Sequence, residues 1–324
     1  MKLDTINLQK TETEEQAAYK KQRAAGHTYA HEIKGNFIAM LGRQYRPFFK
    51  NDIGFKPLHS GFYIKYHDLE LMVDPGVNTL DRAQRIGVNL YRTNGLFISH
   101  AHSDHDNDAN IVVEIASNNG EKFELLASEE ALEDRTVKPW HIEKNTRASI
   151  NLRKLSGESI TLSQKYSLKP IRTYHSIDGS FGFVLDLSGV KIGYTGDSGF
   201  TKRFKTTDGE YVIGSEDYSG EMLGPVEFNN ELKSIFANVD ILIFNLHNFS
   251  YCKSSVFHST AFDLIEILKD SKVKLCICDH FNPNSALHKK YFENVIKFVK
   301  QKSRKNILLV QNQGLVVKLD KFAK

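Results

Sequence analysis

The run Leu96-Phe97-Ile98-Ser99-His100-Ala101-His102-Ser103-Asp104-His105 decides the fold. Its three apolar residues, ending at Ile98, read as a short buried strand, which puts the polar cluster behind them in the loop at the strand's C-terminal edge. Two histidines separated by one residue, then an adjacent Asp-His pair, form a metal-ligand spacing rather than a capping or turn pattern. On an extended backbone the imidazoles of His100 and His102 project to the same side and reach one ion. Asp104 and His105 swing to a neighbouring position about 3.5 to 4 Å away. That is a two-metal constellation. A solvated loop that merely happened to be rich in histidine would have no matching ligands downstream, and this chain supplies them.

Four later positions fall at the edges of predicted elements. His175 follows a strand pattern over residues 168–174, and His280 follows another over residues 274–278. Asp197 lies in Thr195-Gly196-Asp197-Ser198-Gly199, directly after a strand, where glycine lets the backbone turn tightly and aim a carboxylate inward. His258, in Phe257-His258-Ser259-Thr260, stands at the start of a helix for which Ser259 is the expected cap. Leaving His258 aside, the motif and its followers give five histidines and two aspartates, the set a dinuclear site requires.

These residues resemble the metallo-β-lactamase superfamily, whose signature is a His-x-His-x-Asp-His loop followed by a His, a bridging Asp and a last His. The resemblance covers roughly residues 62–319. It implies an α/β fold, a four-layer αββα sandwich with two metal ions at one edge of the two sheets, zinc first and manganese or iron as alternatives. His100, His102 and His175 would hold one metal, Asp104, His105 and His280 the other, and Asp197 would bridge them. Asp74, at the end of its strand in Asp74-Pro75-Gly76, matches the superfamily's first motif aspartate, which implies that it orients the histidine loop by hydrogen bonding. Two ions sharing a carboxylate and a water lower the pKa of that water from about 15.7 toward 7, so the hydrolytic nucleophile is a hydroxide and no serine or cysteine is needed.

Within the superfamily, Phe257-His258-Ser259-Thr260 with Asp279-His280-Phe281-Asn282-Pro283 resembles the His-Ser-Thr and Thr-His-Phe-Ser pair of the ribonuclease Z branch. The resemblance implies that His258 stabilises or protonates the leaving oxygen, which favours phosphodiester hydrolysis over lactam or thioester hydrolysis. Two departures stand out. The strand end Phe244-Asn245-Leu246-His247-Asn248-Phe249 lacks the glutamate that orients this histidine in that branch, and the interval from His175 to Asp197 has no room for an arm that grips transfer RNA. A small nucleotide diester such as a cyclic nucleotide is therefore the expected substrate. Precursor transfer RNA, a lactone or thioester, and a binding module without chemistry are the competing readings.

The rest of the chain sets the frame. Residues 1–55, polar and rich in Ala and Glu from 11 to about 41, read as an N-terminal helical extension that packs on the domain or pairs two copies as a homodimer; residues 56–324 read as the hydrolase domain. Residues 200–227, polar and Gly-containing, read as a long loop or an insertion near the site. No apolar run approaches the roughly 18 residues of a membrane span, and Met1 to Lys10 lack the apolar core of a signal peptide, so a cytoplasmic protein without membrane contact is expected. A net charge of +4 is too small to announce a nucleic-acid binder.

Overall fold

A computed structural model describes residues 32–44, 58–59, 61–117, 122–134, 136–139, 142, 149–212, 221–281, 289–310 and 314–322. Its architecture follows from strands whose alternate residues are all apolar, so that both faces are buried. In the first sheet Ile38, Met40, Phe62, Ile64, Leu71, Val73 and Phe97 point inward to a core shared with the second sheet. Phe37, Ala39, Tyr63, Met72, Leu96 and Ile98 point outward onto the helices Thr79–Ile86, Ala109–Ser117 and Glu129–Glu133. The second sheet repeats the scheme. Ile241, Ile243 and Ile277 face the shared core, while Leu242, Phe244, Cys276 and Cys278 face the helices Asn230–Ala237, Ala261–Leu268 and Lys289–Ser303. The layers run helix, sheet, sheet, helix, as the sequence implies.

The first sheet runs Leu315–Lys318, Phe37–Met40, Phe62–Tyr66, Leu69–Val73, Gly95–Phe97, Lys122–Ala127, Ser149–Lys154. The second runs Asn306–Leu309, Leu275–Asp279, Ile241–Asn248, Lys191–Tyr194, Phe181–Asp186, Tyr166–Arg172, Ile160–Leu162. In each, a block of parallel strands carries its C-terminal ends to the same edge: Leu69–Val73 beside Gly95–Phe97, and Lys191–Tyr194 beside Ile241–Asn248 beside Leu275–Asp279. Ligands gather at such ends in α/β sheets. Among the described residues no helix is long and apolar enough to cross a membrane.

Three expectations need correction. The helix reaching to about residue 41 gives way to the strand Phe37–Met40, fully buried between Phe62–Tyr66 and Leu315–Lys318. A four-residue apolar run is ambiguous on its own, and partners distant in sequence make it a strand; the boundary at residue 55 therefore cuts through the first sheet. The helical segment and dimer contact expected N-terminal to it lie outside the described residues. Within residues 200–227, expected as a long loop or an insertion, the described residues form strands rather than a loop. Thr201–Thr206, Gly209–Val212 and Met222–Phe228 form a three-stranded antiparallel sheet, and Asp208-Gly209 at its first turn is a hairpin signal. Finally, Thr260 rather than Ser259 caps the helix Ala261–Leu268. Its side chain accepts from the Asp263 amide, and the Asp263 carboxylate accepts in return from the Thr260 amide at 2.7 Å.

Candidate metal centre

The strand Gly95–Phe97 stops where Ser99 donates from its backbone amide to Asp74 Oδ1 at 2.7 Å and from its hydroxyl to Oδ2 at 2.7 Å. Asp74 itself ends the neighbouring strand in a left-handed conformation, φ 48°, that turns its carboxylate under the histidine loop. The same Oδ2 accepts from His105 Nδ1 at 2.9 Å and from the Tyr194 hydroxyl. Since the Ser99 hydroxyl is committed to Asp74, its oxygen accepts from His100 Nδ1 at 2.9 Å. His175 donates through Nδ1 to the Phe257 carbonyl at 3.1 Å. Three imidazoles thus have their Nδ1 protons spoken for, which turns each Nε2 to the centre as a lone pair in the neutral ring. Burial opposes a charge on His105, but Asp197, Asp104 and Asp74 raise its pKa well above the ordinary imidazole range.

Those nitrogens crowd together. His102 Nδ1 lies 3.0 Å from His100 Nε2 and 3.0 Å from His175 Nε2; His105 Nε2 lies 3.0 Å from His280 Nε2, which is 3.3 Å from Asp104 Oδ2. Burial holds His100, His102 and His175 below the ordinary imidazole range, so protons do not relieve the crowding there. Neutral lone pairs converging at hydrogen-bond distance are what a divalent cation satisfies, and the donor set, imidazole with carboxylate, suits zinc and its neighbours. The donors fall into the groups His100, His102, His175 and Asp104, His105, His280. Asp197 joins them: its Oδ2 is 3.4 Å from His280 Nε2, 3.6 Å from His105 Nε2 and 3.8 Å from His175 Nε2. Burial opposes a charge on Asp197, but His280, His105 and His175 hold its carboxyl well below the usual range.

All seven residues named from the sequence as ligands meet at this edge, with Asp74 beneath them. His258 arrives as well, its Nδ1 3.7 Å from Asp197 Oδ2, and it forms a further candidate group with His175 and Asp197. Burial pushes its pKa down to about 4, against the pull of Asp197.

The sequence reading missed three neighbours. His247 stacks on His258 with ring centroids 3.9 Å apart and planes 14° from parallel, standing where the absent glutamate was sought. Asn245, two residues earlier on the same strand, donates to Asp197 Oδ1 at 2.8 Å and lies 3.3 Å from the Tyr194 hydroxyl. The alternation of a strand places Asn245 and His247 on one side, the only sequence signal that could have paired them. The side-chain oxygen Oδ1 of Asn245 is buried without a hydrogen-bond partner among the described residues, a loss worth about 1 to 3 kcal/mol.

A family model for a beta-lactamase superfamily domain matches residues 70–211, a span that includes Asp74, the histidine loop, His175 and Asp197. The crystal structure of the metallo-beta-lactamase fold protein YhfI from Bacillus subtilis superposes with a TM-score of 0.62 over 88% of this chain and 99% of its own, at 14% identity. This chain has the metallo-β-lactamase fold. The short form of human tRNase Z shares that fold, with a TM-score of 0.54 over 87% of this chain and 98% of its own, at 17% identity. By sequence, an uncharacterized protein of Methanocaldococcus jannaschii is 32% identical over 152 residues, 45% of this chain and 56% of that protein, so the match spans little more than half the relative's length. The His/Asp cluster at the edge of this fold makes that edge a candidate divalent-metal site.

Proposed function

We propose that the chain is a dinuclear metal-dependent hydrolase, and specifically a phosphodiesterase acting on a small nucleotide diester such as a cyclic nucleotide. The observation that carries the reading is the shared carboxylate: one oxygen of Asp197 faces donors of both groups, and His258 approaches the same oxygen. When bound, a metal pair there supplies an activated water and offsets negative charge on a phosphoryl oxygen. The protein does the rest. Asp74 fixes the ring of His105 directly and that of His100 through Ser99, Phe257 fixes His175, and His247 keeps His258 flat beside the reacting centre. His258, a donor beside the ligands that the two groups of the dinuclear set leave out, is placed to hydrogen-bond the leaving oxygen.

Substrate size is read from the flanks. The interval between His175 and Asp197 is taken up by the hairpin Phe181–Asp186 and Lys191–Tyr194 of the second sheet, with no arm for a long RNA. The three-stranded sheet after Asp197 stands against the turn that carries His258, through Phe204, Met222 and Val256. Both features support a small diester over a transfer-RNA precursor, whose affinity would rest on many phosphate contacts.

The test compares turnover on cyclic mono- and dinucleotides, a structured RNA and a lactone, using protein of measured metal content. Cleavage of a cyclic nucleotide should exceed that of the RNA and the lactone. His258→Ala should keep its metal and slow turnover by about 10² to 10⁴, the usual worth of a positioned acid or base. RNA cleavage with every cyclic nucleotide untouched would return the chain to the ribonuclease reading.

A further inference from the structure

We infer that Asn245 and Tyr194 are positioning residues for the shared carboxylate, and that they join the two halves of the metal centre into one hydrogen-bonded frame. The inference rests on the reading of Asp197 as the bridging ligand. Asp197 has two oxygens. Its Oδ2 faces His105, His175, His258 and His280, whereas Oδ1 is taken by the Asn245 amide at 2.8 Å. An amide proton on Oδ1 holds the carboxylate against rotation, so that Oδ2 is the oxygen it would offer to bound metal.

The amide orientation is settled by chemistry. Reversed, Asn245 would set its carbonyl oxygen against a carboxylate oxygen, two acceptors face to face; in the orientation found, its other oxygen is left buried and unpartnered among the described residues. A residue kept at that cost is there for its donor. The frame continues from the same amide, since Nδ2 lies 3.3 Å from the Tyr194 hydroxyl, which donates in turn to Asp74 Oδ2. Asp74 also receives His105 directly and His100 through Ser99. One fully buried carboxylate therefore sets a ligand of the first group, a ligand of the second and, through Tyr194 and Asn245, the bridge between them. The strand pairing makes this exact in register: Tyr194 lies opposite Ile243 on the parallel neighbour strand, and Asn245 follows two residues on.

Zinc alone is a sufficient probe, with no substrate. Retention of Zn²⁺ against a chelating competitor is measured for the parent, Asn245→Ala, Tyr194→Phe and the double variant, alongside thermal melting of each metal-free protein. Asn245→Ala should weaken retention of both ions by about 10- to 100-fold, as loss of an outer hydrogen bond to a ligand does. Its metal-free melting should stay at or above the parent's, because a buried unpartnered oxygen goes with it. Tyr194→Phe should weaken retention less, and the double variant should lose less than the two singles together, since both act through one chain of bonds. Parent-like retention in Asn245→Ala, or strictly additive losses, overturns the inference. A parent that binds no zinc would instead bring down the metal reading on which it stands. Asn245→Ser, which keeps a small donor, guards against misfolding: partial recovery of retention supports the positioning role, and none overturns it.

Discussion

The metal edge and the three-stranded sheet beside it are built to different standards. At the metal edge three rings are tied at their backs, His105 to Asp74, His100 to Ser99 and His175 to the Phe257 carbonyl, in segments that follow the buried strands Gly95–Phe97 and Tyr166–Arg172. The neighbouring sheet, Thr201–Thr206 with Gly209–Val212 and Met222–Phe228, rests on a core of Phe204, Met222 and Val256 with Tyr251 packed against it. Its outer strand exposes Leu223 and Val226. Yet it is the second, thinner region that supports the turn carrying His258. On the proposed reading the difference separates the residues that hold metal from the turn that presents His258, and the Phe257 carbonyl that fixes His175 is the contact between the two regions.

The comparison is broken most sharply at Asp104. It groups with His105 and His280, and its Oδ2 lies 3.3 Å from His280 Nε2. Asp104→Ala should leave one metal per chain and cost turnover at least about 10³-fold, beyond the 10- to 100-fold of an outer hydrogen bond; metal analysis with kinetics reads both. If the variant kept two ions and full activity, the grouping of ligands would be wrong. Phe204→Ala attacks the other region. It removes a fully buried aromatic from that small core, at a cost of about 3 kcal/mol. Turnover should fall by less than in His258→Ala, with both metals retained. Metal loss in Phe204→Ala would show that the two regions are not separable.

The smallest effect is a pH dependence at the seam between them. Asp263, fully buried, receives Thr260, Tyr251 at 3.0 Å and Thr201 at 3.3 Å, and so pins the small sheet to the helix Ala261–Leu268. Burial nonetheless raises its pKa from 3.8 to about 6. A raised carboxyl keeps its proton in the fold where the unfolded chain has lost it, so its contribution is complete below about pH 4 and is lost as pH rises through 6. Asp263→Asn should flatten that part of the stability curve, by no more than about 3 kcal/mol between the limits. Denaturant melts of parent and variant at pH 4.5 and 7 measure it; identical slopes would remove Asp263 from the account.

How much of this was legible in the sequence follows the same division. His100 to His105, His175, Asp197 and His280 each follow a predicted strand, and a ligand-type residue just past a strand pattern is visible without knowing the fold. Phe37–Met40 was not legible, because its partners Phe62–Tyr66 and Leu315–Lys318 are far away in sequence and a four-residue run has no period of its own. The small sheet hid for the opposite reason: along Thr201–Thr206 polar residues alternate with only one buried large side chain, so its apolar signal is faint. Asn245, Tyr194 and His247 carry no motif at all. Their meaning lies in which side chain stands across the sheet, which a single chain read in order does not disclose.

The centre also fixes a timetable. His105 and His280 lie 3.0 Å apart in space and 175 residues apart in sequence, on the two different sheets. A chain emerging from the ribosome therefore cannot close the second group until residue 280 has been synthesised and the two sheets have docked. On the proposed reading, the rate at which added zinc is taken up by that group during refolding is a clock for sheet docking itself.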